Sequence, residues 1–502
     1  MSNNKFYTLS LCSALLLSAC SNQTTRSQPE QLQQLPDRFH QVSSLPISSQ
    51  DRQANDSELI DQNWIASLGS QQLEQLINQA LTSNFALNAE RIQLERSKQQ
   101  LVITGATDYP ELNLALSQSR RKLINANTDQ SNFNNNAELN LQLSYELDLW
   151  GRLSDSQQQA SFSYQSARAN YKRQQLLLAA NVSRAWFDLL NAQQLLRLFD
   201  KRATNLQANL ITIQNSYRLG LSQALDVYLT QNNVNQELAR VAQQKQVVNA
   251  ASRSLELLLG QYPSAEFTAS LLDDQNSLPR LTSQVPIGLP ASLLTRRHDL
   301  QASWLNLLSL DAGLAVAHKQ RFPRLSLTGS IGQSSTELDQ LLSTDSLAWS
   351  ILGNLTSPLF NAGRLKALEQ QAQLSVESAE FVYLQQVYQA FLEVENALTN
   401  QVSLTERYQH LVDAKNNAEA AERLAFDQYL KGIVTYSTVL EAQRRAFDAQ
   451  TSVIQLNNQI VQNRIDLHLA LGGDFSTQVA VATETASTNG QSTPKITSST
   501  GY

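Results

Sequence analysis

Between Gly151 and Gly220 the chain runs for 68 residues without a glycine or a proline, and between Gly363 and Gly432 it does so for another 68. Those two residues interrupt helices most readily, so each run predicts one unbroken helix about 100 Å long at ~1.5 Å per residue. A further 39 clean residues follow each closing glycine, to Gly260 and to Gly472. A helix of that length cannot bury its stripe in an ordinary globular core. Its partners have to be equally long helices, from this chain or its neighbours. The apolar spacing has the matching period. Val182, Ala185, Leu189, Ala192, Leu196 and Phe199 step alternately by three and four, a heptad seam. Val387, Phe391, Val394, Leu398 and Val402 step 4, 3, 4, 4, nearer a straight helix. The shorter runs repeat every seven residues, through Val227, Val234, Val241, Val248 and Leu255, and through Val439, Ala446, Val453, Ile460 and Leu467.

The two runs belong to a duplication. Tyr109-Pro110-Glu111-Leu112 returns as Phe322-Pro323-Arg324-Leu325 at an offset of 213. Gly151-Arg152-Leu153 returns as Gly363-Arg364-Leu365, Tyr217 to Gly220 as Tyr429 to Gly432, and Leu257 to Gly260 as Leu469 to Gly472, all at 212. Agreement at several places in fixed order marks an internal two-fold repeat.

Between each proline and the following glycine the period changes to two. Leu139, Leu141, Leu143, Tyr145, Leu147 and Leu149 share one face, while Glu138, Asn140, Gln142, Ser144, Glu146 and Asp148 share the other. Leu112, Leu114 and Leu116 start the pattern after Pro110. In the second half it runs through Leu325, Leu327, Gly329 and Ile331, then Trp349, Ile351, Gly353 and Leu355. Each half therefore predicts one β-hairpin with strands near the ~9–11 residues that cross an outer membrane. Four such strands cannot close a barrel, for which about eight is the minimum. Left open in lipid, their edges would be unpaired, so the strands either rest on a soluble core or are pooled by several chains. The second solution fits better with what the N-terminus shows.

Residues 1–20 carry Lys5, then an apolar run through Leu9, Leu11, Leu15, Leu16 and Leu17, and end in Leu17-Ser18-Ala19-Cys20. The run is too short to span a bilayer and has the proportions of a signal peptide, 1–19. The final tetrapeptide resembles a bacterial lipobox, in which Cys20 is acylated and becomes the new N-terminus. Ser21 follows, where Asp commonly retains lipoproteins at the inner membrane, and this favours the outer one. Cys12 and Cys20 are the only cysteines, which excludes a disulfide scaffold, and a net charge of −6 gives no basic excess to attract nucleic acid. His40, His298, His318, His410 and His468 are scattered, and no HExxH, GxGxxG, GxxxxGK[ST] or GxSxG occurs. No enzyme activity, metal or other cofactor is expected. Glu393, Glu395 and Glu406 read as solvated helix faces.

Taken with the duplicated helices and hairpins, several motifs give the chain a family. They are Ser144-Tyr145-Glu146-Leu147-Asp148-Leu149-Trp150-Gly151-Arg152, Tyr217-Arg218-Leu219-Gly220-Leu221, and Gly288-Leu289-Pro290-Ala291-Ser292-Leu293-Leu294 with Arg297 and Asp299, then Phe322-Pro323. From about Asn63 to Gly473 the chain resembles the outer-membrane efflux proteins, the TolC-like channel-tunnels, and within them the lipid-anchored branch that serves RND-type drug pumps. His298, where the family usually has proline, and Ser303, near a common acidic position, depart from the pattern and bear on helix entry.

The resemblance implies a mainly α fold with a transmembrane β part. A homotrimer would close a 12-stranded barrel, four strands from each chain, and continue it as a periplasmic tunnel of coiled helices. It implies an inner-membrane pump and a periplasmic adaptor as partners, the adaptor docking at the tip turns through Arg218, Gly220, Leu221 and Gly432. Asp226 and Glu441 match acidic residues lining the family's constriction, and Tyr429 a tyrosine linking neighbouring coils there. Thr438 stands where a second acid is expected. On the residues alone, Asp226 and Glu441 read instead as solvated carboxylates capping or flanking a helix start, the commonest role of an acid in a first turn. The boundaries expected are a lipidated extended segment over 20–62 and a first repeat over 63–262, with hairpin 111–149 and helices 152–219 and 221–259. A linker over 263–290 leads to a second repeat over 291–473, with hairpin 324–360 and helices 364–431 and 433–471, and a disordered tail over 474–502. The function expected is a passive exit duct for small molecules. A type I protein-secretion channel, and a lipid-anchored coiled-coil tether or adhesin without a pore, are the alternatives.

Overall fold

The computed structural model describes residues 64–124, 131–266, 293–337 and 347–473, together with Pro29, Phe39, His40, Leu278, Pro279 and Leu341. Cys20, the signal peptide, most of the linker and the tail lie outside the described residues. The elements in chain order are α1 Trp64–Ser67, α2 Gln71–Ser83, α3 Phe85–Gly105, β1 Glu111–Ile124, β2 Ser131–Leu147, α4 Arg152–Arg218 and α5 Ala224–Leu258. They continue with α6 Leu293–Arg296, α7 His298–Lys319, β3 Arg324–Ser335, β4 Leu347–Thr356, α8 Arg364–Leu430 and α9 Tyr436–Ala470. The long helices α4 and α8 each have 67 residues, and α5 and α9 each have 35. No helix among the described residues is long and apolar enough to cross a membrane. The chain divides into two compact units, one comprising Met1–Gln34, Gln93–Ala169 and Ala302–Gln385, the other Leu35–Ile92, Asn170–Gln301 and Gln386–Tyr502.

The first unit holds the sheet, whose four strands lie in the order β1-β2-β3-β4, each antiparallel to its neighbour. The two hairpins are thus joined to each other through β2 and β3. Register makes the alternation continuous across the sheet. Leu114 pairs with Leu141, Leu141 with Ile331 and Ile331 with Trp349, so one apolar row crosses all four strands. One residue along, Asn113, Gln142, Ser330 and Ser350 make a polar row on the opposite face. The apolar face is bare: Leu114 is 70% exposed, Trp349 72% and Ile351 69%. At 14 and 17 residues, β1 and β2 are longer than a membrane crossing needs.

Strand β2 stops at Leu147 because Asp148 turns to cap α4. Its carboxylate accepts the Leu153 amide at 2.9 Å and the Ser154 amide at 2.8 Å. Beside it, the Trp150 indole donates to the Pro323 carbonyl at 2.7 Å and its ring packs on Phe322 at 5.6 Å, tying the two hairpin entries together. These contacts account for Asp148, Trp150 and Phe322-Pro323 in the sequence motifs.

The second unit has the larger core. Trp64, Ile65, Leu73 and Ile77 from α1 and α2 are packed against Val182, Trp186, Phe187 and Leu189 of α4, with Val461 and Ile465 of α9. The seam residues Val182, Leu189, Val387, Val394 and Leu398 are fully buried. Two glutamates read as lying on solvated helix faces also take partners. The Glu393 side chain is 41% exposed, and the buried Arg297 guanidinium donates to it at 2.7 Å while gripping Asp299 at 2.7 and 3.0 Å. Glu395 accepts the His40 amide at 2.6 Å. Helical periodicity reveals a carboxylate's face but not the arginine that another segment brings to it. Helix α7 starts at His298 despite the missing proline, with Asp299 accepting the Leu300 amide at 2.9 Å.

Candidate functional site at the helix turns

Helices α4 and α5, and equally α8 and α9, reverse direction at a glycine. Gly220 and Gly432 have φ of +74° and +70°, which an L side chain adopts only under strain. The hydrogen bonding at both is a Schellman motif. Gly220 donates to the Tyr217 carbonyl and Leu221 to that of Ser216, at 2.9 and 2.8 Å; Gly432 and Ile433 repeat the pattern on Tyr429 and Gln428 at 2.9 Å. Three residues after each glycine remain in the turn, so α5 and α9 start at Ala224 and Tyr436, later than the glycine-free runs alone suggest. The turns expose large apolar side chains, Leu219 at 75%, Leu221 at 77% and Ile433 at 66%, with Arg218 exposed beside them.

Behind the turns a small core of Ile213, Ala425, Tyr436 and Val439 brings the helix pairs together. The expected residues Asp226 and Tyr429 meet there: the Tyr429 hydroxyl donates to Asp226 Oδ2 at 3.1 Å. The same carboxylate oxygen accepts the Gln223 amide at 3.4 Å, so Asp226 caps α5 as well as joining α8. Tyr436 packs against Tyr429 with ring centroids 5.1 Å apart. Burial and the bond to the Asp226 carboxylate push the Tyr429 hydroxyl up to about 12.

Glu441 does not join this contact. It lies exposed on α9, where Arg444 donates to it at 2.9 and 3.1 Å and Arg445 at 2.7 Å. Those hydrogen bonds hold its carboxyl down at about 2. Arg444 also reaches Asp448 at 3.1 Å, so the segment is a run of alternating charge and not a bare acid. Gly220, Leu221 and Gly432 occupy the turns themselves.

One group escapes the reading of the sequence. Arg202 of α4 contacts the buried Glu237 of α5 at 3.3 Å, donates to the Gln443 carbonyl of α9 at 3.2 Å, and lies 4.0 Å from the Phe447 ring centroid. Burial lowers Arg202 and raises Glu237, and their mutual attraction opposes both shifts. A signal was present: three residues after the seam valines stand Thr230, Glu237 and Gln244, polar residues at positions facing the core. Each is engaged, Thr230 with the Asp226 carbonyl at 2.6 Å and Gln244 with the Ala192 carbonyl at 2.9 Å. Among the described residues no group of three or more His, Cys, Asp or Glu could hold a metal ion.

Long paired helices with glycine turns, on a chain whose four strands present a bare apolar face, are the parts of an outer-membrane channel of the efflux type. The chain belongs to the outer membrane efflux protein family, whose model matches it twice, over residues 76–261 and 289–473. It is similar to the solvent efflux pump outer membrane protein SrpC of Pseudomonas putida, 30% identical over 408 residues, 80% of this chain and 86% of that one. It is also similar to the cation efflux system protein CusC of Escherichia coli (strain K12), 26% identical over 471 residues, 93% and 98% of the two chains. Among solved structures, the outer-membrane channel OprN matches with a TM-score of 0.82 at 24% identity, over 91% of this chain and 100% of that one. The CmeC outer membrane channel of Campylobacter jejuni matches with 0.82 at 21% identity, over 94% and 98%. These two likenesses establish the fold. The protein is thus an outer-membrane efflux channel protein, and its family is one of passive channels, not enzymes.

Proposed function

We propose that three copies of this chain close a 12-stranded barrel in the outer membrane and continue it into the periplasm as a helical duct, lipid-anchored through an acylated Cys20. The single observation that carries this reading is the sheet. Its bare apolar face suits lipid and its polar face a watery lumen, while β1 and β4 each leave an edge with no partner strand among the described residues, which a second copy would pair. The two halves, 63–262 and 291–473, are then repeats of one unit that supply equivalent staves. An adaptor docks on the exposed apolar turns around Arg218, Gly220, Leu221 and Gly432, and an inner-membrane RND-type pump supplies the energy. The cargo is small molecules of the kinds for which relatives are named, solvents, antibiotics or cations.

The turns form the closed end of the duct. The Tyr429–Asp226 bond holds α8 to α5, and Glu441 supplies a ring of three carboxylates, each clasped by Arg444 and Arg445. Charges of one sign at a narrow point bias conduction, and paired arginines moderate that bias. Conductance in planar bilayers tests this. Glu441→Ala leaves Arg444 and Arg445 without their shared acid, so a small wild-type conductance of little charge preference is expected to rise and turn towards anions. Because the carboxyl is held at about 2, the difference should persist across the pH range from ~8 down to ~4. Folded trimers that conduct nothing under any condition would overturn the duct. Conductance indifferent to the substitution would remove Glu441 from the constriction.

A further inference from the structure

The apolar face of the sheet ends in positive charge. On β1 the side chains of Leu112, Leu114 and Leu116 are followed on the same face by Arg120 and Lys122, all exposed. Across the pair, Lys122 is in register with Phe133 of β2. The Phe133 ring is 52% exposed, with the Arg120 guanidinium 4.7 Å and the Lys122 ammonium 5.9 Å from its centroid. Arg121 falls on the opposite, polar face, opposite Asn134. The connecting segment 125–130 carries one acid, Asp129. Arg120, Arg121 and Lys122 are three consecutive cations at this hairpin end, in a chain of net charge −6.

We infer that Arg120, Lys122 and Phe133 form a binding site for the phosphate-bearing headgroup of an anionic outer-leaflet lipid. The inference rests on the barrel reading above, which turns this face to the bilayer. From Glu111 to Arg120 the strand rises ~30 Å at ~3.4 Å per residue. Tilted ~40°, that is ~23 Å along the membrane normal, against an apolar band of ~25 Å. The cations therefore arrive where the hydrocarbon ends and headgroups begin. The strands enter from the helical side at Pro110, so on that reading the end of the pair at Lys122 and Phe133 lies at the far, outer leaflet. An exposed aromatic at that depth takes the place of the usual girdle residue, and two cations beside it exceed what a girdle needs. Their common partner at a lipid–water boundary is phosphate, attracted by charge and held between two flexible donors.

The test titrates the purified full-length protein with lipid A, a phosphate-bearing glycolipid, and follows binding by native mass spectrometry. Removing both charges in Arg120→Gln/Lys122→Gln is expected to weaken lipid A binding about thirtyfold, from roughly 1 kcal/mol for each cation. Arg121→Gln should bind as the wild type does, because its side chain is on the other face, and retention of phosphatidylcholine should not change in either variant. Undiminished lipid A binding by the double variant, in protein that inserts normally into vesicles, would overturn the site alone. Equal weakening by Arg121→Gln would also overturn it, by showing charge without facing. A double variant that keeps its lipid affinity but falls apart into monomers would assign the cations to the contact between copies. Wild-type protein that never enters a vesicle would sink the barrel and this site together.

Discussion

Tyr429 and Asp226 lie 203 residues apart in sequence and share one hydrogen bond of 3.1 Å. The hydroxyl donates to a carboxylate in a half-buried place, so the loss of the bond costs about 1 kcal/mol, which in the closure proposed above would shift the closed–open balance about fivefold. Tyr429→Phe removes only the hydroxyl, whereas Asp226→Ala also uncaps α5 by freeing the Gln223 amide. Tyr429→Phe channels in planar bilayers are therefore expected to be open about five times more often, with thermal stability nearly unchanged. The pH dependence has a definite sign. The hydroxyl is held at about 12 against an ordinary value near 10, so its contribution is complete below pH ~10 and is lost as pH rises towards ~12. Wild-type conductance should climb across that window while the phenylalanine variant stays flat; a climb in both would separate the effect from Tyr429. The resemblance made Asp226 and Tyr429 candidates by their spacing from the tip glycines; that the two meet was not legible, because they belong to different halves of the chain. The partners of Glu441 were legible but went unread: three and four residues along a helix share a face, and Arg444 and Arg445 stand there. Glu393 was not, because Arg297 reaches it from 96 residues away, a separation that no helical period encodes.

Single elements show where such counting stops. The runs free of glycine and proline marked the four long helices, and alternation marked the strands, because each signal is local to one element. The pairing of β2 with β3 was not legible, since alternation fixes a strand's faces but not its neighbour. Nor does the sequence distinguish one helix-ending glycine from another. Gly220 and Gly260 both close Schellman turns, with φ of +74° and +69°. A Cβ at Gly220 would meet nothing within 4 Å; at Gly260 it would lie 2.4 Å from the Ser83 carbonyl oxygen. That oxygen cannot withdraw, because Ser83 and Asn84 are fastened to the end of α5 by side-chain bonds to the Leu259 and Leu258 carbonyls at 2.6 and 2.9 Å. Gly220→Ala should therefore cost only the left-handed strain, about 1–2 kcal/mol. Gly260→Ala adds overpacking, typically a further ~1–3 kcal/mol. Urea unfolding midpoints of the two variants check the order. Equal midpoints would mean that α2 and α3 shift away freely, contrary to the bonds just described.

For the whole molecule the decisive question is how the sheet's edges are satisfied, and the cysteine content makes it answerable. Cys12 and Cys20 are the only cysteines and both precede the strands, so introduced thiols on β1 and β4 meet no competitors there. Within one chain those edges are separated by two intervening strands, or ~14 Å at ~4.8 Å per step. A disulfide needs Cα atoms within about 7 Å, so a bond between β1 and β4 can form only between copies. Asn113, Ala115 and Ser117 on β1, and Ala348, Ser350 and Asn354 on β4, all lie on the polar face, where cysteine leaves the lipid-facing rows intact. Pairing one position from each set in a single chain and oxidising in membranes is expected to give a ladder on denaturing gels that ends at the trimer. The end point carries the information. An edge-to-edge contact is head-to-tail, and such a contact either closes into a ring or continues as a filament. Three copies supply twelve strands, enough to close a barrel, whereas a single copy supplies four and cannot. A ladder continuing beyond the trimer would mean open association, with no lumen. Absence of any β1–β4 product across all pairs would mean that the sheet edges are covered by something other than a second copy.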